Sequence, residues 1–313
     1  MNFVDLKRIK LSVIHDGTTY SKEFYVPATQ TEGIIVETYP NWNEEETYSV
    51  GAYVIVPQLK SIYKSSSNNN TGIFPPSNSS YWTFWGFTND MSMFTCDEKL
   101  GSQTKGTNAV ITIPFNQSNV LAIIDTDFSS VNVKQIDNDT NEVIKDLDIT
   151  SRDISCSSFA EYCFKKTLLQ RKIIIKNLEW YPNSNIVLTF DGECKIGTIG
   201  MGLLEELGIT LLGTSLEWES RSKIKIDDFT EYRSVIRYGK VRVLNVQVLF
   251  NIDEFNRTAL KIDSILDKNI LFVPTEQDNF SEMISIGYIE KFKLPVDNPN
   301  KILTTTSIVG VVN

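Results

Sequence analysis

Histidine is nearly absent from the 313-residue chain: His15 is the only one, so any Ser–His, Cys–His or histidine-based metal chemistry would have to run through that imidazole. No nucleophilic motif surrounds it. It precedes the Asp16-Gly17 turn signal and reads as an exposed turn residue. Cysteine is sparse too. Cys96, Cys156, Cys163 and Cys194 form no C-x-x-C pair, which argues against zinc knuckles and dithiol redox motifs and leaves reduced or buried packing thiols. Long apolar runs are missing. None approaches the ~18 residues of a membrane span, and residues 1–11 lack a signal-peptide core, so folding in a cytoplasm is expected. Positive charge is in deficit as well: 30 Lys and Arg stand against 39 Asp and Glu, for a net charge of −9 and a pI of about 4.9. The basic residues are scattered apart from a short run at 7–10, which argues against a phosphate-tracking face for duplex nucleic acid.

The remaining candidate sites are incomplete. Gly197, Gly200 and Gly202 lack the Lys-Ser/Thr ending of a phosphate-binding loop, and close backbone approach at a strand edge explains them better. Asp137, Asp139 and Asn141 alternate like half of a calcium loop but lack its glycine, and read as a turn between strands. Glu44, Glu45 and Glu46, or Asp125 and Asp127, could be cast as a glycosidase pair. Chance carboxylate pairs are plentiful in so acidic a chain, and hydrolysis is not the expectation. No catalytic, cofactor-binding or metal-binding residue is therefore expected, and the chain reads as a non-enzyme.

What is present is apolar and aromatic. Hydrophobic residues make up 41% and aromatics 11%, enough for sizeable cores. Residues 1–46 read as a β-hairpin arm, with 1–14 as one strand and 19–26 as its return, followed by a short strand at 34–38 and a polar linker. Residues 47–88 form a small aromatic-rich β module around a polar loop at 64–80. Residues 89–212 carry short strands at 109–113, 120–125, 131–135, 142–149, 171–175 and 186–190, the spacing of a β-sandwich or jelly roll, with 159–169 as a connection. Residues 213–313 have the one complete β–α–β grammar. Strands at 222–226 and 232–236 precede a turn at Gly239. A strand at 241–250 follows, with Val241, Val243, Val246, Val248 and Phe250 as its apolar set. A helix over 253–268 has the stripe Phe255, Ala259, Ile262 and Leu266, with Asn251 or Asp253 as cap and Lys268 at its end. Strands at 270–273, 283–292 and 302–312 complete it. The fold expected is mainly β, with a C-terminal α+β domain containing one helix.

Two resemblances add to this reading. Tyr48, Gly51 and Val54, then Tyr63-Lys64-Ser65, Gly72, Pro75-Pro76 and Trp82, resemble the small chitin-binding-type carbohydrate module. Residues 65–70 stand where that family usually presents extra surface aromatics. The order of segments over about residues 35 to 313 resembles tailed-bacteriophage tail and neck structural proteins. It runs from the module through Asn89-Asp90-Met91-Ser92-Met93-Phe94-Thr95, a strand-rich domain with Tyr181-Pro182-Asn183 and Ile196-Gly197-Thr198-Ile199-Gly200, to the α+β end.

The second resemblance implies a virion protein assembled in the host bacterial cytoplasm. It would form a homo-oligomeric ring through a tail-tube-like C-terminal domain and meet neighbouring tail, neck or portal proteins. Genomic DNA would pass its lumen without specific binding, and no membrane is involved. The alternative is a virion surface adhesin binding host glycans through 47–88; a secreted hydrolase is the third and weakest reading. Tyr48, Tyr63, Trp82 and Trp85 are the candidates for glycan or interface contact.

Overall fold

A computed structural model describes residues 1–151, 158–164, 170–226, 233–236, 240–275, 278–295 and 300–311. The Gly239 turn, Cys156 and the second half of the 159–169 connection lie outside the described residues. The protein is mainly β, 54% strand and 11% helical. Its contacts divide it into two compact units, Lys7–Gly202 and Met1–Leu6 with Leu203–Asn313. No helix among the described residues is long and apolar enough to cross a membrane.

The Lys7–Gly202 unit is sandwich-like. One sheet runs Val143–Thr150, Ser130–Asp137, Ser184–Asp191, Thr104–Pro114 and Glu193–Ile196, with Gln30–Ile34 along the other side of Thr104–Pro114. Facing it, Val120–Ile124 lies between Lys172–Lys176 and Thr198–Glu206. All five residues of Val120–Ile124 are buried, as an unbroken apolar run in a central strand requires. Leu121, Ile123, Ile173 and Ile199 meet Ile111, Val133, Leu188 and Phe190 in one core. Gly197 is fixed by close approach: a Cβ there would lie 2.6 Å from the carbonyl oxygens of Ile124 and Asp125. The strand expected over 1–14 is two strands, Asn2–Leu6 and Arg8–His15. Only the second enters the hairpin, with Thr18–Tyr25 across the Asp16-Gly17 turn.

The small module contains Tyr53–Val56, Ser61–Ser65 and Trp82–Phe87 as a three-stranded antiparallel sheet. The hairpin tip packs on it through Val13, His15 and Tyr20.

In the C-terminal unit the strands follow the order Asn2–Leu6, Ile270–Val273, Ser285–Lys291, Lys301–Gly310 and Lys240–Asn251. Ile209–Thr210 and Ser215–Ser220 pair along the far side of Lys240–Asn251. The apolar set of that long strand differs from the expectation. Leu244, Val246, Val248 and Phe250 are buried, while Val241 and Val243 are half-buried on the other face. A period of two cannot put Val243 and Val246 on one side. Phe255–Ile265 is the helix, entered through a 3₁₀ turn at Ile252–Glu254. Its buried residues are Thr258, Ile262 and Ile265; Phe255 and Ile262 of the expected stripe pack in the core, whereas Leu266 lies past the helix end and is exposed. Neither Asn251 nor Asp253 caps it: Glu254 holds the cap position without a side-chain hydrogen bond, because the 3₁₀ turn already carries the chain into the helix. Lys268 lies beyond the helix and stands 4.0 Å from Asp5.

Candidate functional site

The three-stranded sheet of the small module has two unlike faces. On Tyr53–Val56, Val54 and Val56 turn inward, which leaves Tyr53 and Ile55 on the other side. On the next strand Tyr63 is buried, and Lys64, opposite both Tyr53 and Thr83, lies outward. On the third strand the alternation runs Trp82 in, Thr83 out, Phe84 in and Trp85 out, and a bulge follows at Trp85. Ile62 pairs with Gly86 and Tyr63 with Phe84, so Trp85 is the extra residue of the bulge; it lies on the outer face with Thr83, 51% exposed.

The result is an aromatic platform. Tyr53 meets Trp85 edge to face at 5.3 Å, and Tyr39 stacks on Tyr53 at 5.0 Å. Lys64 Nζ sits 5.4 Å from the Tyr53 ring and 5.5 Å from the Trp85 ring, within cation–π range of both. At its rim, the Thr83 and Ser66 hydroxyls are 2.8 Å apart. The surface thus offers flat apolar ring faces beside an ammonium and two hydroxyls. It is suited to stacking and hydrogen bonding.

Three of the four residues singled out in the sequence do not belong to this surface. Trp82 is 1% exposed, donates its indole N–H to the Ile73 carbonyl at 2.8 Å and packs edge to face on Tyr48. Tyr48 is buried, donates its hydroxyl to Glu46 at 2.9 Å and accepts from the Asn43 amide. Burial raises its pKa, and burial with the Glu98 charge raises that of Tyr63. These rings hold the module together, and only Trp85 of the four presents itself to solvent. The platform residues not anticipated are Tyr39, Tyr53 and Lys64. The signal for Tyr53 was available: it is out of phase with Val54 and Val56.

His15 is not an exposed turn residue. It ends its strand half-buried, stacks on Phe74 at 4.3 Å with an interplanar angle of 5°, and meets the edge of Trp42 at 5.7 Å. Its Nδ1 is 3.2 Å from the Asp16 carboxylate. Asp125 and Asp127 face Arg171 and Lys195, each at 4.0 Å. Asp137 accepts the Asp139 amide at 2.8 Å in the turn between Ser130–Asp137 and Val143–Thr150. Glu23, Cys96 and Asp97 bring ligand atoms within 4.8 Å of one another. Burial first, then the Asp97 charge, pushes the Cys96 thiol up to about 12. The thiol donates to the Glu23 carbonyl, and Asp97 pairs with Arg8 at 2.8 Å. Cys194 is also buried and its thiol pKa is raised by burial, whereas Cys163 is exposed.

No family model matches the chain, and no curated protein and no solved structure matches it either.

Proposed function

We propose that the chain is a structural protein of a tailed-bacteriophage virion, assembled in the bacterial cytoplasm and closing into a homo-oligomeric ring in the tail or neck. The supporting observation is the edge of the C-terminal sheet. Ser215–Ser220 pairs with Lys240–Asn251, and among the described residues no strand pairs with its other side. Trp218 on that edge is 58% exposed, and Leu212 in the turn before it is 99% exposed. An open edge with a large exposed ring is a surface for another chain. Head-to-tail joining of identical copies closes a ring when the rotation fits, and closure leaves no edge open. Neighbouring tail, neck or portal proteins would bind the faces of such a ring, and genomic DNA would pass its lumen unread. Native mass measurement and electron microscopy of the purified protein test this: closed rings of one copy number are expected. A monomer at every concentration, or absence of the chain from particles, overturns it.

A second reading has its own observation, the Tyr39–Tyr53–Trp85 platform beside Lys64. Exposed ring faces stack on the C–H faces of sugars, so a virion surface protein could hold host glycans there. Retention on immobilised chitin or host capsule that vanishes in Trp85→Ala, with Trp85→Phe partly retained, favours adhesion. Unchanged retention in Trp85→Ala removes it.

A further inference from the structure

Among the described residues, three cations lie over aromatic rings, and two of them also hold a carboxylate. Arg8 lies 5.9 Å from the centre of the Tyr25 ring and pairs with Asp97 at 2.8 Å. Lys22 lies 4.4 Å from the Phe84 ring and pairs with Glu98. Lys64 is the exception. It stands over two rings, Tyr53 and Trp85, and no carboxylate among the described residues comes within ion-pair distance of it. The platform thus carries a half-buried ammonium, with three N–H donors, that its own chain leaves without a counter-charge.

That charge constrains what can cover the platform. A sugar laid on Trp85 buries its C–H face against the indole and, in the same step, strips water from Lys64, 5.5 Å from the ring centre. Under a neutral sugar the ammonium loses hydration and gains no opposite charge, which opposes binding. Under a sugar with a carboxylate on its ring, a charge-assisted hydrogen bond offsets that loss. Thr83 stands opposite Lys64 in register, so the exposed Thr83 and Ser66 hydroxyls lie beside the ammonium, where sugar hydroxyls can bond to them. The net charge of −9 does not forbid an acidic ligand, because exposed charges more than about 8 Å away are largely screened at physiological ionic strength. One ammonium is too few to follow a row of phosphates, which weighs against a nucleic acid strand on this face.

We infer that the Tyr39–Tyr53–Trp85 platform selects acidic glycans: a pyranose with a ring carboxylate, a uronate or a sialate, stacks on Trp85 and sets its carboxylate on Lys64, with Ser66 and Thr83 holding its hydroxyls. This rests on the glycan reading above and adds the ligand class to it.

The test titrates the full-length protein with oligogalacturonate, with its methyl ester, with oligosialate and with chitin oligosaccharide. At least one of the two acidic oligomers should bind ten or more times tighter than both neutral ones, and rising salt should narrow the gap. Lys64→Met should erase the preference, Lys64→Arg should keep it, and Trp85→Ala should abolish binding of every sugar. Thermal melting of each variant confirms that it folds. Neutral sugars bound as tightly as acidic ones, or a preference that survives Lys64→Met, overturn the inference while leaving the glycan reading intact. A wild type that binds none of the four defeats the glycan reading together with the inference. Tighter binding of a sulfated polysaccharide or of single-stranded DNA than of either acidic oligomer, lost in Lys64→Met, assigns the ammonium to another anion and also overturns it.

Discussion

Trp82 and Trp85 stand three positions apart and have opposite surroundings. Trp82 fills the module core with its indole N–H satisfied, so Trp82→Ala should cost about 3–5 kcal/mol, the range for an aromatic removed from a core. Trp85→Ala loses an exposed ring and its contact with Lys64, and should cost less than about 1 kcal/mol. Urea denaturation of both variants checks the difference; equal losses would mean that Trp85 is not presented to solvent. Buried thiols set an alkaline limit. Cys96 is raised from its ordinary 9.0 to about 12, and burial raises Cys194 and Tyr63 in the same direction. The folded chain keeps protons that the unfolded chain releases, so this stabilisation is complete below about pH 9 and is lost as pH climbs toward 12. The urea midpoint should fall above about pH 9, less steeply in Cys96→Ala. The same burial makes Cys163 the described thiol that a disulfide reagent reaches in the folded protein, with Cys96 and Cys194 reacting after unfolding.

At the scale of elements, the helix distinguishes a stripe read from spacing from a stripe fixed by packing. Phe255 and Ile262 of the expected stripe pack in the core as read, whereas at the last turn Ile265 is buried and Leu266, beyond the helix, is exposed. Nothing local chooses between them, because the choice depends on Leu244, Val246, Val248 and Phe250 across the core. Ile265→Ala should cost about 2–5 kcal/mol and Leu266→Ala under about 1, with thermal melts as the measure. Strands were more legible. Ile270–Val273 is as expected, and the sandwich strands lie within a few residues of their expected places, since polar turns mark their ends. Facing was less legible where apolar residues occupy both phases, as Val243 and Val246 do. The platform was hidden for the same reason: an aromatic count at 48–87 does not say which rings share a face, and Trp82 and Phe84 take the inward phase while Trp85 takes the outward one. Gly197 was readable as a close-approach glycine. Gly197→Ala, which brings a methyl to within 2.6 Å of two carbonyl oxygens, should lower stability by more than a typical surface change, on the order of 2 kcal/mol.

Across the whole molecule, what the sequence hides is long-range pairing. The change of apolar phase between Leu6 and Ile9 marks a break in the first strand, yet no local feature says that Phe3 stands opposite Phe272. That register ties Met1–Leu6 to the C-terminal unit, where Leu207 N–H also donates to the Met1 carbonyl. The open edge lies within this unit. If the edge assembles copies, its exposed ring should matter to association far more than to folding. Trp218 is more than half exposed opposite Arg242 in register, and removing it creates no cavity in the core formed by Leu244 and its neighbours. Trp218→Glu places a charge where a second chain would cover it, and an uncompensated buried charge is disfavoured by several kcal/mol in order of magnitude. The variant should therefore melt within a few degrees of the wild-type subunit but sediment as a monomer where wild type forms rings. If Trp218→Glu assembles normally, copies do not join along Ser215–Ser220, and the ring must close through another surface.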